Sequence, residues 1–200
     1  MNTARPFLYV LRCLNWVCRF RKRCGYGIHS PFAFGFVTGV IYEKGEYYAY
    51  AQLERAAGDS ASASAALRRK DLRLLFRLAN CQRPPTGILY GMDETDACLS
   101  WLKAGSCHTL WKQFGSEEGQ KAQMVVAAKD WPRQTDQLLA SLEEGGMLVV
   151  FGLWQNAQRR EAWKRILADA KSVVSFDLRD FGIVFYRPDL NREHYRICYF

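Results

Sequence analysis

The sequence predicts an α/β protein built on a mainly parallel sheet, and three observations lead there. From Thr86 onward, short runs rich in β-branched and aromatic residues alternate with helical stretches. Strands separated by helices imply right-handed crossovers between parallel neighbours. The last three strand-like runs are joined by short connections, so they are expected to pair antiparallel at one edge. With 49% of its 200 residues hydrophobic, the chain has enough apolar surface for a substantial core.

Taken in order, Arg5 to Lys22 places Phe7, Val10, Leu11, Leu14, Val17 and Cys18 at helical spacing, with Arg12, Asn15, Arg19 and Lys22 opposite. This predicts a basic amphipathic helix, ended by Gly25, Gly27 and Pro31. Phe32, Phe34, Phe36 and Val37 form a second apolar piece, and Tyr47 to Ala57 is again helical. Gly58 to Ala66 is small and turn-forming. The division expected is a helical extension over 1–57, a flexible link over 58–69 and an α/β domain over 70–200.

Lys70 to Asn80 reads as a helix stopped by Pro84 and Pro85. Strands are then expected at Thr86 to Tyr90, His108 to Trp111, Gln123 to Ala128, Met147 to Phe151, Ser172 to Leu178, Gly182 to Arg187 and Tyr195 to Tyr199. Helices are expected at Glu94 to Ala104, Gln134 to Glu144 and Ala157 to Ala170.

The net charge is +8, and it is unevenly spread: Met1 to Tyr42 has no Asp or Glu but six cations, Arg5, Arg12, Arg19, Arg21, Lys22 and Arg23. Such a segment suits RNA or an anionic membrane surface, although its apolar face can equally dock on the sheet or on another subunit. Seven cysteines without a repeating spacing fit a reducing, cytoplasmic setting. Cys13, Cys18 and Cys24 with His29 lack the spacing of paired zinc ligands. No apolar run approaches the roughly 20 residues of a membrane-spanning helix, and no processing site is evident.

Several stretches carry a resemblance: Gly27-Ile28-His29-Ser30-Pro31-Phe32, Tyr47 to Glu54, Leu74-Leu75-Phe76-Arg77-Leu78, Ala162-Trp163, and Asp177-Leu178 through Gly182-Ile183-Val184-Phe185. In order and spacing the chain resembles class I S-adenosylmethionine (SAM)-dependent methyltransferases. The resemblance implies a Rossmann-like sheet with antiparallel C-terminal strands and an N-terminal helical extension. It also implies a cofactor site at the carboxyl ends of the strands.

At that site the sequence departs from the family. The first loop, Gly91-Met92-Asp93-Glu94-Thr95-Asp96, has a single glycine. Its acids repel a pyrophosphate, and they read as helix caps or as partners for a sulfonium cation. Trp111 falls where the family carries the ribose-binding acid. The connection Lys112 to Ala122 is too short for a helix, a strand and a second helix, so one strand is expected to be lost. Ala127-Ala128-Lys129 and Phe151-Gly152-Leu153-Trp154 end two further strands without the expected acids. Gly91, Met92, Asp93 and Trp111 are therefore read as vestigial cofactor positions.

The expectation is a degenerate site holding no cofactor, in a pseudoenzyme or scaffold that partners a related protein or itself. One alternative is an active SAM-dependent methyltransferase whose pocket uses Gly91, Asp93 and Trp111. The other is an RNA- or membrane-surface adaptor. His29-Ser30 is expected to cap a turn before Pro31 rather than to act as a nucleophile and base.

Overall fold

The computed structural model describes residues 25–58, 67–92, 97–116 and 119–199. The expected helix Arg5 to Lys22, most of the link 58–69, Cys13, Cys18 and Cys24, and the acids Asp93, Glu94 and Asp96 lie outside the described residues.

Helix α1 (Pro31–Phe36) starts as its sequence requires: Ser30 is the N-cap, its Oγ accepts from the Ala33 amide at 3.4 Å, and Pro31 fills the first turn. The chain continues into a π-helical turn (Val37–Ile41). The backbone oxygens of Val40 and Ile41 in that turn accept from buried Arg77, at 2.7 and 3.3 Å. Helices α2 (Tyr48–Gly58) and α3 (Arg69–Gln82) follow, then β1 (Thr86–Tyr90), α4 (Ala97–Gly105), β2 (Leu110–Gln113) and β3 (Ala122–Ala127). A 3₁₀ turn (Trp131–Arg133) precedes α5 (Thr135–Ala140), β4 (Leu142–Phe151), α6 (Ala157–Ala168), β5 (Val174–Asp177), β6 (Phe181–Phe185) and β7 (Glu193–Arg196).

The seven strands form one sheet in the order β2-β1-β3-β4-β6-β5-β7. Strands β1 to β4 are parallel, and β6 is antiparallel to both β4 and β5. The last strand differs from expectation, since β7 is parallel to β5. Both edges of β6 are already filled, so the chain steps past β5 and takes that strand's outer edge. On the opposite side β2 is the outermost described strand, and only 114–121 joins it to β3. There is no room in this link for another strand and its helices. Phe114 instead bonds the Leu89 carbonyl at 2.8 Å and sets its ring edge-on to Tyr90, 5.1 Å between centroids. Phe114 thereby packs against the second cluster of core residues.

Two core layers sandwich the sheet. Residues of α1 to α4 bury Leu75, Phe76, Trp101 and Leu102 with Leu89, Val126, Val149 and Phe176 on one face. On the other, Leu138, Leu139, Ala162, Trp163 and Ile166 of α5 and α6 cover Ile88, Val125, Leu148 and Val184. The segment before the link belongs to the first layer: Ala33, Phe36, Val37, Ile41 and Tyr50 are buried in it. The Phe36 ring packs tilted against Phe176, 4.9 Å between centroids, and edge-on to Phe185 at 4.8 Å. Burying each such ring contributes about 1.5–3 kcal/mol. No described helix is long and apolar enough to cross a membrane.

Candidate functional site at the carboxyl ends of the strands

Connectivity alone marks a site. The chain leaving β1 goes to α4, on the first face of the sheet, whereas the chain leaving the adjacent β3 goes to α5, on the second. Where neighbouring strands send their loops to opposite faces, a crevice opens at their carboxyl ends, and open α/β sheets bind ligands there. The loops that leave these two strands are Gly91-Met92 and Ala128-Lys129-Asp130.

Gly91 has φ +62°, and a Cβ there would lie 2.6 Å from the Lys129 oxygen and 2.8 Å from its nitrogen. The glycine therefore lets the two loops touch backbone to backbone at the base of the crevice. One residue on, Met92 is 4% exposed and packs in the first core layer, so its side chain serves the core and not the crevice.

Trp111 is a correction. Strand β2 begins two residues later than its sequence suggests, because Thr109 is tied down before it: its Oγ donates to the Pro84 carbonyl and meets Ser106 Oγ, both at 2.7 Å. Trp111 therefore pairs with Gly87 in mid-strand and lays its indole over that glycine, against the first core layer. The end of β2 is Gln113, opposite Leu89, so Gln113 holds the position assigned to Trp111.

The end of β4 is closed by hydrogen bonds. The Phe151 carbonyl accepts from Trp131 Nε1 at 2.9 Å and from Arg159 Nη1 at 2.6 Å. Burial lowers the Arg159 pKa, partly offset by the charge of Asp130. The hairpin between β5 and β6 reaches the same end of the sheet, where Gly152 N donates to the Asp180 carbonyl at 2.7 Å and Trp154 N to that of Arg179 at 3.2 Å.

A polar network, missed at the level of sequence, braces this hairpin. Arg68, the N-cap of α3, donates to buried Asp71 at 2.9 and 3.0 Å and to Asp180 at 2.6 Å. Lys70 Nζ sits 3.8 Å over the Tyr199 ring, and burial, followed by the charge of Asp71, pushes the Tyr199 hydroxyl well above its ordinary pKa. The capping pattern of Arg68 and Asp71 was the only local signal, because Asp180 is distant in sequence. Ser175 and His194 also meet, at 2.6 Å between Oγ and Nδ1. They sit mid-strand on β5 and β7, with Ser175 1% exposed and away from the crevice.

No family model matches the chain, and no curated protein matches it significantly. Solved structures do. The SAH-bound methyltransferase PaMTH1 of Podospora anserina superposes with a TM-score of 0.53 at 7% identity, covering 79% of this chain and 97% of its own. The O-methyltransferase TomG of Streptomyces achromogenes, solved with SAM, gives 0.49 at 12% identity over 72% of this chain and 91% of its own. The first comparison corrects the expectation of a site without cofactor. A protein sharing this fold was solved with S-adenosylhomocysteine (SAH) bound, and the Trp111 position that argued against a cofactor lies elsewhere. The sheet, its crevice and this neighbour together give the chain a class I SAM-dependent methyltransferase-like fold.

Proposed function

We propose that the chain binds SAM in the crevice between the carboxyl ends of β1 and β3. The observation that carries this reading is the switch point itself, with Gly91 at φ +62° packed on the Lys129 backbone. When bound, this cofactor supplies an electrophilic methyl group on a sulfonium centre. The residues present fit a nucleoside with a cationic tail better than a pyrophosphate. The Gln113 carboxamide stands at the end of β2, where a side chain reaches ribose hydroxyls, and it can both accept from and donate to them. Asp93, Glu94 and Asp96 follow Gly91 in sequence and favour a cation.

Calorimetric titration with SAM and with SAH tests the reading. Saturable binding of either, weakened when Gln113 is replaced by Leu, is expected; the absence of saturable heat with both overturns it.

A second reading is binding without methyl transfer, in a scaffold that keeps the cofactor as a structural ligand. It is favoured by the closed end of β4, where the Phe151 carbonyl is taken by Trp131 and Arg159, and by Asp177, whose carboxylate accepts from Trp154 and Arg179. Methyl-labelled cofactor incubated with the protein and a cell lysate separates the two readings: labelled product marks an enzyme, and binding without label transfer marks a scaffold.

A further inference from the structure

Trp154 is 42% exposed, yet its loop is fixed from several directions. Its amide donates to the Arg179 carbonyl at 3.2 Å, and its indole Nε1 donates to both Asp177 oxygens, at 3.1 and 3.2 Å. Asp177 is itself 6% exposed and also accepts from the Arg179 amide at 2.8 Å. The Arg160 guanidinium lies 5.9 Å over the indole. A large ring held in one orientation at the surface has already given up the rotamer freedom that a ligand would otherwise have to remove.

Its place in the fold adds to this. Trp154 follows β4 and reaches the end of β5, across the start of β6. At about 4.8 Å per strand, and with β4 and β6 lying between β3 and β5, the indole stands roughly 17 Å from the crevice, on the same rim of the sheet. Arg160 supplies positive charge over the ring, while the Asp177 carboxylate is engaged at its Nε1 edge.

We propose that Trp154 is a stacking platform for a base of single-stranded nucleic acid, with Arg160 contacting a phosphate. Every base has a face that stacks on indole, and the Arg160 cation beside the ring favours a phosphate-bearing strand over a neutral aromatic compound. The platform holds its base well away from the proposed cofactor crevice, so as a nucleic-acid contact it does not rest on cofactor binding.

Fluorescence anisotropy with labelled octauridine tests it, with and without SAH, on the full chain. Trp154→Ala is expected to weaken binding about tenfold. Trp154→Phe keeps a ring and is expected to lose less. Arg160→Gln should reduce the slope of log affinity against log salt by about 1. Because the acid-free segment Met1 to Tyr42 is a separate source of charge, Trp154→Ala is also measured with Arg19, Arg21, Lys22 and Arg23 replaced by Gln. Should Trp154→Ala fail to fold, Arg160→Gln and Trp154→Phe carry the test. Unchanged affinity in the folded Trp154 variants, or no octauridine binding by the parent chain, overturns the proposal. Loss of SAH binding with octauridine binding intact counts against the cofactor reading alone.

Discussion

Replacing Gly91 with Ala tests the geometry of the crevice directly. Two separate penalties are expected. A residue with a Cβ held at φ +62° is disfavoured by roughly 1–2 kcal/mol. The new methyl would also sit 2.6 Å from the Lys129 oxygen and 2.8 Å from its nitrogen, well inside van der Waals contact with backbone that cannot rotate away. Overpacking of this kind costs about 1–3 kcal/mol. Together they amount to about 2–5 kcal/mol, a large share of the ~5–15 kcal/mol of a typical domain.

Gly27 provides the control. It has φ +77°, and a methyl added there would meet nothing within 4 Å, so Gly27→Ala carries only the conformational penalty. Urea unfolding followed by circular dichroism should therefore show Gly91→Ala destabilised by about 1–3 kcal/mol more than Gly27→Ala. Calorimetry on the folded fraction should show weaker SAH binding for Gly91→Ala alone. Equal destabilisation of the two variants would refute the claim that the loops of β1 and β3 meet through their backbones.

Other outcomes are expected elsewhere. Asp71→Ala removes the buried partner of Arg68, which keeps Asp180, and should lower stability by about 1–3 kcal/mol in the same urea assay. Gly182→Ala sets a methyl 2.6 Å from the Trp163 ring and 2.9 Å from Val150, so a loss of about 1–3 kcal/mol and a shifted tryptophan emission are expected. His194 has a pKa below its ordinary value, from burial and then from Arg192. Its neutral form is thus favoured by folding, and the unfolded chain takes up a proton first as pH falls below about 6.5. Stability from this group is present above that pH and is lost through the window beneath it. His194→Gln should flatten the dependence of Tm on pH between about 7.5 and 5.5.

Much of the architecture was legible because it rests on local signals. Thr86 to Tyr90 is a strand as read, bounded by Pro85 and Gly91. The short Lys112 to Ala122 connection leaves β2 at one edge, since chain length limits what a crossover can contain, yet the expected loss of a strand does not reduce the sheet: β7 adds beside β5 and the strands number seven. Where distant residues decide, the sequence was silent. The start of β2 depends on Thr109 reaching the Pro84 carbonyl, and a two-residue shift there moved Trp111 out of the site altogether. The helix expected over Gln134 to Glu144 stops at Ala140, because Leu142 pairs with Ala122 and begins β4. The link between Trp154 and Asp177 joins a loop to the end of β5, which no periodicity relates.

The bare 114–121 link also bears on how the chain folds. Strands β1 and β3 form a central pair of the sheet, with Gly87 opposite Met124, and the chain between them must close before they can bond. A further crossover unit of about 30 residues inserted there would roughly double that span. Each doubling costs about 0.6 kcal/mol of closure entropy, or about a threefold slower encounter. A chain without that unit lowers the contact order of its central pair, and β1, α4, β2 and β3 become the natural nucleus on which the later strands condense.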